Sequence, residues 1–133
     1  MNLLLDTHLL IWSATRNPKL SAEAKAAISE SSNTIWFSTA SLWETAIKNA
    51  LNRPDFNVDV STLRAGLLAN GYHELAVEGR HTLTFRELSG HHRDSFDRML
   101  VAQAMTEVMI LLTADKALAA YGASVQIVRG GGF

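Results

Sequence analysis

The sequence predicts an α/β domain in which a central parallel sheet of about four to five strands lies between two helical layers. Three observations predict it. The apolar runs Leu3-Leu4-Leu5 and Met109-Ile110-Leu111-Leu112 are short and unbroken, as in strands buried on both faces. Segments with helical spacing separate the strand-like segments, so strands and helices alternate. The chain has 133 residues, 47% hydrophobic and 19% charged, which suits one folded domain with one core.

In order, Leu3 to Leu5 form a first strand, and Asp6-Thr7 leads into a helix over His8 to Ala14. Pro18 ends that segment. Ser21 caps a helix of Ala22 to Ser29, with Ala24, Ala27 and Ile28 on one face. Thr34 to Phe37 is β-branched and aromatic, hence a strand. Ser41 to Leu51 is helical, with Leu42, Trp43, Ala46, Ile47, Ala50 and Leu51 forming an apolar stripe expected to face the core. Arg53 to Val58, around Pro54, is a loop. Ser61 to Ala69 is a helix ended by Asn70-Gly71. Tyr72 to Val77 is a strand, Arg80 to Leu88 a helix and Gly90 to Arg93 a loop. Ser95 to Glu107 is a helix, Met109 to Leu112 a strand, Asp115 to Tyr121 a helix and Val125 to Val128 a last strand. The domain is expected to span residues 1–129, with 130–133 a flexible glycine-rich tail.

Composition excludes several function classes. There is no cysteine, so there are no disulfides, thiolate zinc sites or cysteine nucleophiles, which fits a cytoplasmic setting. No apolar run approaches the roughly 20 residues of a bilayer span, so no membrane partner is expected. The start, Met1-Asn2-Leu3-Leu4-Leu5-Asp6, lacks the basic region of a signal peptide and reaches an acid too soon. The net charge of −1 excludes nucleic-acid binding by bulk charge. Lys48, Arg53, Arg64, Arg80, Arg86, Arg93 and Arg98 are scattered and form no basic stripe in the sequence.

Four acids carry the chemistry: Asp6, Glu44, Asp97 and Asp115. Asp6 and Asp115 follow the two apolar strands. In a parallel α/β sheet the carboxyl ends of the strands are where ligands bind. Glu44 and Asp97 fall in the first turns of helices near that edge. Carboxylates gathered there repel one another unless a cation joins them. A divalent metal answers that need, and metal with carboxylates points to phosphate chemistry. Each acid also has a plain structural reading. Asp6, Asp94 and Asp115 suit helix caps. Glu44 suits a surface ion pair with Lys48, four residues on. Asp97 suits the positive end of a helix. Against these readings, Thr7 and Thr113 flank the strand-end acids with hydroxyls able to bond a carboxylate. Glu44 borders the apolar stripe. Asp97 precedes Met99-Leu100-Val101-Ala102 on a helix that must be largely buried, where a carboxylate needs a partner. His8 reads as a packed helix residue, and Trp12, Trp36 and Trp43 as core. His91-His92 is a weak zinc candidate, because adjacent histidines in a loop rarely face one metal.

Four blocks in order resemble one family: Leu3-Leu4-Leu5-Asp6-Thr7-His8, Ser38-Thr39-Ala40-Ser41-Leu42-Trp43-Glu44 with Ile47-Lys48, His92-Arg93-Asp94-Ser95-Phe96-Asp97-Arg98 through Ala104, and Leu112-Thr113-Ala114-Asp115. Together they resemble the PIN-domain toxins of the VapC type. The resemblance implies a three-layer PIN fold and an Mg²⁺- or Mn²⁺-dependent endoribonuclease, the toxin half of a toxin–antitoxin pair. It implies metal-binding and catalytic roles for Asp6, Glu44, Asp97 and Asp115, with Asp94 as an auxiliary acid and Thr113 as the hydroxyl beside the last acid. It implies RNA as substrate, a short antitoxin as inhibitor and a homodimer, for which the early apolar helices could supply the surface. Arg93 and Arg98 are candidates to orient phosphate. The chain departs from the family in carrying Ser95 where many members have proline, and in ending on Gly130-Gly131-Gly132-Phe133. Two rivals stand beside this reading. A phosphatase with an aspartyl nucleophile would want an acid two residues after Asp6, where the chain has His8. A PIN-like module that binds RNA or protein without cutting would need no such set of acids.

Overall fold

A computed structural model describes residues 1–88, 90 and 94–129. The expected tail at 130–133 and the His91-His92-Arg93 segment lie outside the described residues. Five parallel strands form one sheet: β1 (Asn2–Leu5), β2 (Thr34–Ser38), β3 (His73–Leu75), β4 (Ile110–Thr113) and β5 (Val125–Ile127). Their order is β3-β2-β1-β4-β5. The chain therefore winds outward one way from β1 and then returns to its other side at β4. The boundary between β1 and β4 is the switch point of the sheet, where the crossovers leave a crevice at the carboxyl ends of the strands.

The helices are α1 (Thr7–Ala14), α2 (Ala22–Ser29), α3 (Thr39–Ala50), α4 (Val60–Ala69), α5 (Gly79–Glu87) and α6 (Ser95–Glu107). Short 3₁₀ segments occupy Pro54–Phe56, inside the expected loop, and Lys116–Tyr121, where a helix was expected. The central strands account for the two apolar layers. Leu3 and Leu5 point into a cluster with Leu9, Leu10, Phe37 and Leu67, while Leu4 points the other way, toward Leu100, Val101, Leu111 and Leu118. Because successive side chains alternate across a strand, covering both faces requires the unbroken apolar run seen in the sequence. Each fully buried leucine contributes about 1.5–3 kcal/mol relative to exposure.

Helix α3 departs from expectation. Its buried residues are Ala40, Ser41, Glu44 and Thr45. The apolar stripe instead leans toward solvent: Trp43 is 65% exposed, Ile47 37% and Leu51 64%. The helix leaves β2 without a loop, and the Ser38 hydroxyl accepts the Ala40 N–H at 3.0 Å. That cap fixes the helix phase and turns Ser41 and Thr45 inward, where the Thr7 hydroxyl donates to Ser41 Oγ at 2.9 Å and Thr45 donates to the Ser41 carbonyl at 2.7 Å. The three tryptophans accordingly part company. Trp12 is core, Trp36 is half-buried and donates its indole N–H to Asn2, and Trp43 is exposed. The apolar side chains of α1 are spent on the core, and Ala24 is the buried residue of α2.

Helix α6 ends on Val108 with φ +57°, a left-handed conformation in which a β-branched side chain crowds its own backbone. Val108 is 87% exposed, so it recovers little by packing. Val108→Gly is expected to stabilise the fold by roughly 1 kcal/mol, read as a higher midpoint in urea denaturation. An unchanged or lower midpoint would show that the apolar side chain is needed there.

Candidate active site

The site is built on the last residue of the β1 run. The Asp6 N–H bonds the Leu112 carbonyl at 3.0 Å, which continues the β1–β4 ladder one step past the strand and fixes Asp6 at the switch point. Its Oδ1 accepts the Leu9 N–H at 2.9 Å and caps α1, while Oδ2 accepts the hydroxyl of Thr113. The Thr113 oxygen in turn accepts the Asp115 N–H at 3.0 Å. One hydroxyl therefore ties the two strand-end acids together. Asp115 accepts the Ala117 N–H at 3.0 Å, and Asp94 accepts the N–H groups of Phe96 and Asp97 at 2.9 and 3.1 Å.

These acids line one cleft of about 580 Å³: Asp6, Glu44, Asp94, Asp97 and Asp115. Glu44 reaches it from the polar face of α3 and is 3% exposed. Its Oε2 accepts Lys48 Nζ at 2.5 Å, so the i,i+4 pair exists, but buried rather than on the surface. Among the described residues, its Oε1 is buried without a hydrogen-bond partner. Burial and then the charges of Asp94, Asp6, Glu44 and Asp115 push the Asp97 carboxyl up to about 8. Every other acid of the cleft contributes to that shift, which ties the five together electrostatically. Burial likewise raises the Asp6 carboxyl, opposed by the Thr113 hydrogen bond.

The structure thus brings together Asp6, Glu44, Asp97 and Asp115, with Asp94 beside them. Thr113 serves Asp6 as expected. Thr7 lines the cleft but gives its hydroxyl to Ser41 rather than to a carboxylate. Arg98 is not among the residues lining the cleft. Its guanidinium lies 4.5 Å from the centre of the Phe85 ring and bonds the Leu88 carbonyl, so it is not placed to orient phosphate there. Arg93 lies outside the described residues. Sequence reasoning missed two members, His8 and Lys116, and named Lys48 only among scattered basic candidates and as a partner for Glu44. His8 does pack, with ring centroids 5.7 Å from Trp12 and 5.4 Å from Phe56, yet it also borders the cleft. The signal for Lys48 was its four-residue spacing from Glu44. Lys116 had none beyond following Asp115.

An apolar groove of about 540 Å³ adjoins the cleft, lined among others by Trp43, Val77, Phe85, Phe96 and Met99. Trp43 and Phe96 meet edge to face at 5.2 Å, each next in sequence to a cleft acid. A separate trio, Glu78, His81 and Glu107, also has metal-ligand spacing. It is accounted for without a metal. His81 Nδ1 accepts the Glu78 N–H at 2.9 Å, so the proton sits on Nε2, which donates to Glu107 at 2.7 Å. The Arg80 guanidinium supplies the cation, pairing with Glu107 and, at 3.0 Å, with Glu78.

A parallel sheet with a carboxylate cleft at its switch point defines a class of α/β proteins whose site is made for a cation and the anion it carries. The chain belongs to the PIN domain family, whose model matches residues 3–123. PIN domains are in general nucleases. No curated protein matches the sequence. Among solved structures it is similar to VapBC2 from Rickettsia felis, bound to a DNA fragment from its promoter, with 15% identity, TM-score 0.69 and coverage of 98% of this chain and 99% of that one. It is also similar to VapBC-1 from nontypeable Haemophilus influenzae, with 18% identity, TM-score 0.64 and coverage of 97% and 98%. FitAcB from Neisseria gonorrhoeae is similar at 18% identity and TM-score 0.64, with coverage of 92% and 95%.

The raised Asp97 carboxyl fixes a pH dependence. Because the folded value lies above the ordinary one near 3.8, the folded state holds the proton more tightly. That stabilisation is complete below pH about 4 and is lost as pH rises through about 8. In chelator, the protein is expected to lose stability from about pH 4 to about pH 8 and to level off above that. Asp97→Asn should flatten most of that loss and exceed the parent by on the order of 1–3 kcal/mol at pH 8, leaving a residue of slope from Asp6. Thermal melts against pH check this; parallel curves for the two proteins would contradict it.

Proposed function

We propose that the protein is a metal-dependent endoribonuclease, the toxin half of a toxin–antitoxin pair of the VapC type, acting in the cytoplasm. The carrying observation is the convergence of five carboxylates in one cleft, with Asp97 driven to about 8 by burial and then by its acidic neighbours. Such crowding is costly unless a cation is bound. The donor set fits a hard divalent ion such as Mg²⁺ or Mn²⁺: it is all oxygen, and Glu44 keeps a buried oxygen with no protein partner.

In this reading Asp6 and Asp97 hold the ion, with Glu44 and Asp115 acting partly through water and Asp94 as an auxiliary. When bound, the ion supplies the Lewis acidity and positive charge that phosphodiester hydrolysis needs. Thr113 holds Asp6 in one orientation through its hydroxyl, and the caps on α1 and α6 fix Asp6 and Asp94. Asp97 would have to be ionised to hold such an ion, so binding would release a proton near neutral pH. Lys116, on the cleft wall, meets the incoming phosphates. Hydrolysis of this kind leaves a 5′ phosphate and needs no 2′-OH, so choice of RNA would rest on the shape of the surface around the cleft.

The antitoxin reading is supported by the apolar groove and by the outward stripe of Trp43, Ile47 and Leu51 on α3. A short amphipathic segment could bury its apolar side in the groove and set a basic side chain among the acids. The solved VapBC relatives are complexes of this two-component kind in their own right. Homodimerisation, implied by resemblance to the toxins, is part of the same proposal.

Purified, partner-free protein is expected to cut a pool of structured RNAs at discrete positions with Mg²⁺ or Mn²⁺ and not in chelator. Asp97→Asn should lose at least about a thousandfold in rate while keeping its fold, as expected for loss of a metal-holding group. A folded protein that neither cuts nor gains thermal stability from either ion would favour a PIN-like binding module. For the partner, Trp43→Ala should weaken binding of the antitoxin by about 2 kcal/mol in calorimetry, and undiminished affinity would move the docking surface elsewhere.

A further inference from the structure

The Glu44 side of the cleft already holds a cation, and that cation is part of the chain. Lys48 follows Glu44 by one helical turn and places Nζ 2.5 Å from Oε2. The ammonium is not a loose surface charge. Its side chain is 21% exposed, Nζ lies 4.8 Å from the centre of the Phe56 ring, and the Phe96 ring centre is 6.0 Å away. A carboxylate on one side and aromatic rings on others leave it little room to swing into water.

We propose that Lys48 is the second cation of this site: the cleft takes one divalent ion, on the Asp6–Asp97 side, and the Lys48 ammonium fills the place beside Glu44 that a second ion would need. The inference rests on the reading of the cleft as a metal centre and fixes its stoichiometry. Three observations carry it. First, the cleft sets five carboxylates against Lys48 and Lys116, so part of the positive charge it needs is already supplied by the chain itself. Second, Glu44 is divided between two roles. Oε2 is taken by Lys48, while Oε1 is buried and, among the described residues, unpartnered in a side chain that lines the cleft. A carboxylate that bridges an ammonium and a single metal ion, directly or through its water, would use both oxygens. Third, a second divalent ion on Glu44 would have to sit against the ammonium or expel it from between its rings, and like charges that close repel strongly in a partly buried site. Lys48 is in this account a positioning residue. It orients Glu44 and keeps the ion on the Asp6 side.

The plain alternative is an i,i+4 ion pair that merely steadies α3. Manganese binding separates the two without any RNA. The full chain is titrated with Mn²⁺ alone, free ion being counted by electron paramagnetic resonance. The wild-type protein should bind one ion, Lys48→Arg one, and Lys48→Met, which frees both oxygens of Glu44, two. Wild-type binding of two ions, or an identical count and affinity in Lys48→Met, would overturn the proposal while leaving the metal centre standing. No Mn²⁺ bound by any of the folded proteins would instead overturn the metal reading and this inference with it. Because Lys48→Met leaves a buried carboxylate without its partner, a second measurement uses the wild-type chain. The Lys48 ammonium resonance in ¹⁵N NMR should stay protected from solvent exchange when Mg²⁺ is added. Its loss on addition of Mg²⁺ would mean that the metal evicts the lysine, and would overturn the proposal even if Lys48→Met did not fold.

Discussion

The repulsion among carboxylates buried at the edge between β1 and β4 is the constraint around which the rest of the molecule is arranged. A group of acids in one cleft would scatter unless each were tethered. The tethers are backbone N–H groups at the starts of helices. Asp6 accepts from Leu9, Asp94 from Phe96 and Asp97, and Asp115 from Ala117. The first turns of α1, α6 and the Lys116–Tyr121 3₁₀ segment therefore open onto the cleft. Their N–H groups bring partial positive charge to the place where negative charge gathers. Thr113 adds a hydroxyl between Asp6 and Asp115. What these devices do not cancel remains visible in Asp97, whose carboxyl is raised by burial and then by the other four acids.

This explains why the plain and the functional readings of the acids are not rivals. Asp6, Asp94 and Asp115 do cap helices, as their residue type suggests. Capping uses one oxygen and fixes the carboxylate in space, which is also what a metal centre requires of its ligands. In a parallel α/β fold the two demands coincide because helix starts and strand ends share one edge of the sheet.

Most of the fold could be read from the chain because it depends on periodicity. Leu3 to Leu5 and Ile110 to Leu112 are apolar at every position and could only be strands covered on both faces. The acids were legible because they fall where those strands stop. Helix α3 was not. Its apolar stripe obeys the rule for a core-facing helix, but its phase is set by the local Ser38 cap and by Ser41 meeting Thr7, the latter a contact across 34 residues that no local pattern encodes. Lys48 was half legible. Spacing predicted its pairing with Glu44, but burial of the pair depends on Phe56 and Phe96, which arrive from two other parts of the chain.

The inverted α3 links the cleft to its surroundings. Its inward face, Ser41, Glu44 and Thr45, serves the acids, and its outward face, Trp43, Ile47 and Leu51, is left to solvent. Glu44 and Trp43 are adjacent, so the two faces cannot move independently by more than a side-chain rotation. A partner that covers Trp43 and the groove beside Phe96 therefore stands at the rim of the cleft, where it would also cover the path of a phosphate backbone. Inhibition would then need no change of shape at the catalytic acids. In the proposed function, occupancy of the apolar surface next to them would suffice, and keeping that surface exposed in the free chain would be the cost of being inhibitable.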